Sequence, residues 1–188
     1  MRRVVADKVL ISDNEINYDL DRFYDYLQAK RIGKQGIVHN SPPEESVYTA
    51  WQETNPEDRL IEYQPDNLQS EEERFFDLLI KLSMIPILDD HRLIFCIHAY
   101  EMLEGGKMFW HDDGKYTLAM TVYLTTPEEG GELEVVIDAL DGVSSNLIVD
   151  AIKGRAVVIK GKNAHRVREV KKGRRKSLQI FIIQSPME

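Results

Sequence analysis

At 188 residues, with 43% apolar and 30% charged side chains, the chain has the length and composition of one globular domain with a sizeable core. It lacks the run of about 20 apolar residues that a membrane-spanning helix needs, and a net charge of −8 excludes a generally basic nucleic-acid binder. A lone cysteine, Cys96, excludes an intrachain disulfide, and charge at Arg2, Arg3, Asp7 and Lys8 argues against a signal peptide, so the expected location is cytoplasmic.

Ser12-Asp13-Asn14-Glu15 is a capping-box pattern, which satisfies orphan N–H groups at a helix start. Ile16, Leu20, Phe23, Tyr24 and Leu27 follow at helical spacing, and the pattern predicts a helix from about Asn14 to Lys30, ended by Gly33 and Gly36. Ser46 to Glu53 and Leu60 to Tyr63 read as short strands. They lie in an otherwise irregular stretch, His39 to Gln69, of the kind that forms lids and binding loops. Ser70-Glu71-Glu72-Glu73 opens a second predicted helix, with Phe75, Phe76, Leu79, Ile80 and Leu82 on one face and a stop before Pro86.

From Arg92 the texture changes. Leu93 to Tyr100, Leu118 to Leu124, Leu133 to Ile137, Ala156 to Ile159 and Leu178 to Ile183 are short β-branched or aromatic runs punctuated by glycines. Short strands at this spacing predict a sandwich or barrel. Several runs are apolar on both faces, so one face can line a barrel while the other packs under the helices. The expected architecture is mainly β with N-terminal helices (α+β), in a single domain. Residues 1–91 are its helical and loop support region and residues 92–188 its β core.

Between Lys160 and Lys176 lie nine of the 24 basic residues, against one acid, Glu169. Two readings stand: a solvated hairpin whose long side chains cover apolar surface, or an electrostatic guide for an anionic co-substrate or acidic partner.

The chemistry concentrates at two places. The first is Phe109-Trp110-His111-Asp112-Asp113-Gly114, where an extended backbone turns His111 and Asp113 to one side and Asp112 to the other. The second is Lys162-Asn163-Ala164-His165, which a barrel can bring to a neighbouring strand. Two imidazoles and a carboxylate occupy one face of an Fe(II) ion and leave positions open. Arg175 follows ten residues after His165, on a strand face shared with Ser177, Gln179 and Phe181. A guanidinium facing a barrel interior is costly without an anion, and its planar fork matches a carboxylate. A dicarboxylate that chelates the metal at one end and meets Arg175 at the other has the shape of 2-oxoglutarate.

These residues resemble the iron(II)- and 2-oxoglutarate-dependent dioxygenases, within them the prolyl- and lysyl-hydroxylase-like branch. The likeness covers roughly Tyr100 to Gln184, and its parts follow the family's order. His111-Asp112-Asp113 resembles the His-x-Asp ligand pair, and Val122-Tyr123-Leu124 the Tyr-Leu-Asn strand. Glu129-Gly130-Gly131-Glu132 is similar to the Gly-Gly-Glu turn, Ile152-Lys153-Gly154 to the Pro-x-x-Gly strand without its proline, and His165, Val167 and Val170 to the His-x-Val-x-x-Val segment. Gly173-Arg174-Arg175 is similar to the Gly-x-Arg that closes the co-substrate site. An arginine, where collagen-type prolyl hydroxylases often carry lysine, points toward the oxygen-sensor and lysyl-type pattern. The run from Arg175 to Phe181 lacks the Arg-x-Asn-x-Thr-x-Arg of the nucleobase-repair branch.

The resemblance implies a double-stranded β-helix, a cupin-like jelly-roll barrel. It implies His111, Asp113 and His165 as iron ligands, with 2-oxoglutarate and O₂ as co-substrates and ascorbate as a candidate addition. It implies Arg175 on the distal carboxylate, Val167 and Phe181 lining that pocket with Ser177 on the same face, and Tyr100 as a candidate supporting tyrosine. Whether Val122 replaces a second, strand-borne tyrosine depends on register. Met120, Val122 and Leu133 are candidate apolar walls, and Trp110 either shields the metal or faces the substrate. The implied reaction is hydroxylation of a C–H bond, of a protein or peptide at proline in the first reading. A free amino acid or other small molecule is the second reading, and a non-catalytic metal-binding jelly-roll the third.

Overall fold

The computed structural model describes residues 2–6, 9–12, 37–40, 47–50, 60–62, 79–83, 91–114, 116–138 and 144–186. Their strands are, in chain order, β1 (Arg2–Ala6), β2 (Val9–Ser12), β3 (Ile37–Asn40), β4 (Val47–Ala50), β5 (Leu60–Glu62), β6 (His91–Met102), β7 (Met108–His111) and β8 (Leu118–Tyr123). There follow β9 (Glu129–Gly130), β10 (Leu133–Asp138), β11 (Ser144–Val149), β12 (Ala156–Lys160), β13 (His165–Val167), β14 (Val170–Lys172) and β15 (Arg175–Pro186).

A major sheet runs β1-β2-β12-β8-β15-β6-β4-β3, with β5 also on β6, and a minor sheet runs β11-β10-β13-β7; β14 pairs with β9. Every pairing is antiparallel. The inner faces of the two sheets share one apolar cluster. Met102, Ala119, Tyr123, Val157, Ile159 and Phe181 of the major sheet join Leu133, Val135, Val149 and Val167 of the minor one. This is the jelly-roll, a double-stranded β-helix. Met120, Val122, Leu178, Ile180 and Ile182, on the other face of the major sheet, are at most 1% exposed. Strands buried on both sides carry continuous apolar runs, which is why these runs were readable as strands.

The helix expected over about Asn14 to Lys30 lies outside the described residues. Of the second predicted helix, residues 79–83 are described; they are helical, with Leu79 and Leu82 buried. Among the described residues no helix is long and apolar enough to cross a membrane.

Two elements, β2 and β11, differ from expectation. Val9–Ser12 is a strand paired with β12, so Ser12 ends a strand. The short strands expected at Ser46 to Glu53 and Leu60 to Tyr63 are present as β4 and β5, both paired with β6. β11 begins Ser144-Ser145-Asn146; it is a largely exposed edge strand, and its solvent-facing positions dilute the apolar signal.

Between β9 and β10 the backbone turns on two glycines at φ +80° and +77°, Gly130 and Gly131, a region that side chains other than glycine enter with strain. A Cβ on Gly130 would lie 2.1 Å from the carbonyl oxygen of Glu169, and one on Gly131 would press on the Arg175 side chain at 3.3 Å. The Gly-Gly pair thus lets β14 and Arg175 close against this turn.

A candidate metal centre and a buried arginine

β7 and β13 are neighbours, with His111 opposite His165. The two imidazoles leave one face with ring centroids 4.2 Å apart. Nδ1 of His111 is 2.7 Å from the Phe109 carbonyl oxygen, and Nδ1 of His165 is 2.8 Å from that of Asn163. A carbonyl oxygen only accepts, so each Nδ1 carries the proton and donates it, and each Nε2 keeps its lone pair for the space between the rings. Asp113 closes that space. Its Oδ1 lies 3.9 Å from His111 Nε2 and its Oδ2 3.5 Å from His165 Nε2. One ligand atom from each of the three falls within 4.8 Å of the others.

The position of Asp113 does not come from strand alternation, as the sequence suggested. β7 ends at His111. The exposed Asp112 accepts a hydrogen bond from Gly114 N at 2.9 Å in a local turn, while Asp113 N donates to the Gly161 carbonyl at 2.7 Å. The carboxylate therefore swings back under the two rings from a loop tied to the far end of β12.

The donor set fits a metal ion. Oδ2 of Asp113 is buried without a hydrogen-bond partner, a costly state for a carboxylate unless a cation meets it. Burial pushes the Asp113 carboxyl up from 3.8 to about 6, opposed by His111 and reinforced by Asp112. Burial likewise pushes His165 down from 6.5 to about 4, so its imidazole is neutral at pH 7. Neutral imidazoles with a carboxylate are the ligands that octahedral Fe(II) accepts. The His165 and Asp113 side chains are 5% and 9% exposed against 34% for His111, so the centre opens to solvent on the His111 side.

Ligands bind metal deprotonated. Metal must displace the Asp113 proton below about pH 6, and that of His165 as well below about pH 4. Mn(II) affinity, measured by calorimetry across pH, is therefore expected to drop as the pH falls through about 6. It should fall about tenfold per unit just below that and more steeply below about 4. A profile flat down to pH 4 would contradict this.

At the start of β15, Arg175 is 2% exposed. Its Nε donates to the Gly131 carbonyl at 3.1 Å and its Nη1 to Ser177 Oγ at 3.0 Å. Its guanidinium carbon lies 4.9 Å from the centre of the Tyr123 ring. Among the described residues no carboxylate pairs with it. The Tyr123 hydroxyl is itself buried without a hydrogen-bond partner. Burial pushes its pKa above the ordinary range, the Arg175 charge opposing, so it stays protonated and able to donate. A buried cation beside a spare donor is a receptor for an anion.

Register explains why Tyr123 was missed. Ser177 sits opposite both Tyr100 on β6 and Tyr123 on β8, so all three share the inner face with Arg175, and Val122 turns outward. The same alternation puts Met120 and Val122 on the outer face; of the three expected apolar walls Leu133 alone joins the inner cluster. Val167 and Phe181 lie in that cluster with Tyr123, and Phe181 stacks on Tyr116 at 4.4 Å. Thr121 and Gln179, paired at 2.7 Å, add a further polar pair to the inner face.

Most of the basic run is met by acids. Lys171 pairs with Glu129, Lys172 with Glu128, Arg174 and Lys176 with Glu101, and Arg166 and Arg168 with Glu134. The loop at Gly105-Gly106 is tied to β14, with Gly105 N donating to the Val170 carbonyl and Val170 N to that of Gly106, both at 2.9 Å.

Residues 95–183, which hold all of these groups, match the family model of the 2OG-Fe(II) oxygenase superfamily. No curated protein matches the chain. Among solved structures it is similar to a prolyl-4-hydroxylase of Pseudomonas putida, at 16% identity and TM-score 0.58, over 94% of this chain and 92% of that one. It is similar to an oxidoreductase of the 2OG-Fe(II) oxygenase family from Burkholderia pseudomallei, at 19% and 0.64, over 94% and 85%. A third is a Trichoplax adhaerens prolyl hydroxylase in complex with a peptide fragment of the hypoxia inducible factor oxygen degradation domain, at 14% and 0.58, over 94% and 83%. These likenesses are of fold. With the family match and the His-Asp-His cluster, residues 95–183 belong to the 2OG-Fe(II) oxygenase superfamily, oxidoreductases that work with Fe(II), 2-oxoglutarate and O₂.

Proposed function

We propose that this oxygenase hydroxylates a protein or peptide, in the manner of a prolyl 4-hydroxylase. In this reading His111, Asp113 and His165 hold the iron, and Arg175, Tyr123 and Ser177 grip the distal carboxylate of 2-oxoglutarate. The observation that carries the co-substrate site is the buried Arg175, without a carboxylate partner among the described residues, next to the unpartnered Tyr123 hydroxyl. Iron and 2-oxoglutarate, when bound, supply the O₂-dependent oxidation of a C–H bond, with succinate and CO₂ as by-products. The residues of the chain hold, orient and dry the site. The Nδ1–H bonds to Phe109 and Asn163 fix both imidazole tautomers. Val167, Phe181 and Leu133 present apolar wall, which keeps water from the reacting atoms.

A peptide substrate is supported by the side on which the centre opens. His111 is its solvent-facing ligand, so a chain passing over the surface reaches the metal without entering a closed chamber. Two of the similar folds are named as prolyl hydroxylases, one of them with a peptide bound. The test is a survey of proline-containing peptides and free amino acids with Fe(II) and 2-oxoglutarate, read by mass gain of one oxygen together with succinate. Oxygen added to a peptide at proline is expected. Turnover of free amino acids with none of any peptide would overturn the reading in favour of a small-molecule hydroxylase.

A further inference from the structure

The outer face of the minor sheet carries a row of side chains at the height of the metal ligands. Trp110 precedes His111 on β7, Arg166 follows His165 on β13, and Glu134 lies opposite Arg166 on β10. The Arg166 guanidinium carbon is 4.9 Å from the centre of the Trp110 ring. Its Nε and Nη2 lie 2.8 and 2.7 Å from Glu134 Oε2. Glu134 is 4% exposed although it points away from the core. Asn146 of β11 donates to its Oε1 at 2.9 Å and Arg168 Nε to its Oε2 at 3.1 Å. Burial alone would raise the Glu134 carboxyl; hydrogen bonds from Arg166 and Asn146 and the arginine charges hold it below its ordinary range. Arg166 is thus gripped at its head by a fixed anion and on its flat side by an indole, a stack that suits guanidinium over ammonium.

The backbone beneath this row is weakly tied. β13 is three residues long, and its ladder to β7 has two paired positions, His165 with His111 and Val167 with Met108, with an irregularity between them. The strands that carry the two histidines therefore have little ladder to set their spacing. We propose that Arg166 is a positioning residue: stacked on Trp110 and anchored on Glu134, it clamps β7 to β13 and sets the approach of His111 to His165. The proposal rests on the reading of His111, Asp113 and His165 as metal ligands.

The test uses the full chain, loaded anaerobically with Mn(II) for affinity and with Co(II) for its visible absorption spectrum. Arg166→Met keeps the apolar stem and removes the head; Arg168→Met removes a cation from the same carboxylate without touching Trp110. Residues behind metal ligands typically change affinity by about 10–100-fold. Arg166→Met is expected to weaken Mn(II) at least about tenfold and to shift the Co(II) spectrum, with Arg168→Met within about twofold and spectrally unchanged. Trp110→Leu and Arg166→Lys should shift the spectrum in the same direction, and they decide the matter if Arg166→Met does not fold. Wild-type spectra in those two variants, or equal effects from Arg166→Met and Arg168→Met, would overturn the clamp. Failure of the unaltered chain to bind either metal would instead overturn the ligand assignment on which it rests.

Discussion

Asp113→Ala and His165→Ala each lose Fe(II) binding in anaerobic titration, with the fold retained by circular dichroism, while Asp112→Ala still binds. This is the largest effect expected. Each of the first two substitutions leaves two side-chain donors, and Asp113→Ala also removes the single anionic ligand. The loss should exceed the roughly 10–100-fold typical of residues that stand behind ligands. Stability should move little, and for Asp113→Ala it should hold or rise in the metal-free protein, because Oδ2 is buried there without a hydrogen-bond partner. Asp112 is exposed and serves a local turn through Gly114. Full iron occupancy in both variants would remove the assignment, whatever the activity shows.

Arg175→Ala is expected to weaken 2-oxoglutarate binding at least about thirtyfold. Breaking a buried charge pair costs about 2–5 kcal/mol, and each 1.4 kcal/mol is about a factor of ten. Its neighbour supplies the control. The Arg174 side chain is 61% exposed and pairs with Glu101 at 3.4 Å, and exposed pairs are worth about 0–1 kcal/mol. Arg174→Ala should therefore change affinity by no more than about fivefold. Tyr123→Phe, which removes a single hydroxyl donor, should fall between the two. Binding can be followed by calorimetry on the Mn(II)-loaded protein. Equal effects from Arg174 and Arg175 would mean a diffuse basic surface in place of a specific receptor.

The strand positions in the C-terminal half were legible because β6, β8, β10, β12 and β15 are apolar runs bounded by turn residues. The Gly-Gly turn and the spacing of His111, Asp113, His165 and Arg175 were legible because they are local patterns of residue type. What alternation could not tell was which face of β8 looks inward. A strand buried on both sides has no polar face to mark the outside, so Tyr123 and Val122 were equivalent until pairing with Ser177 placed Tyr123 beside Arg175. The same ambiguity misplaced Met120. The basic run looked unbalanced because its acids, Glu101, Glu128, Glu129 and Glu134, are distant in sequence and arrive across strand pairs.

Trp110 shows the limit most clearly. Read along the chain it is a neighbour of His111, which suggested shielding the metal or facing the substrate. In the fold it stacks on Arg166 across β7 and β13. The sequence by itself determined the chemistry available to this protein, since residue types and local turns are properties of short segments. The faces of its strands and the partners of its charges were decided by the tertiary structure alone, because both depend on which distant strands pair and in what register.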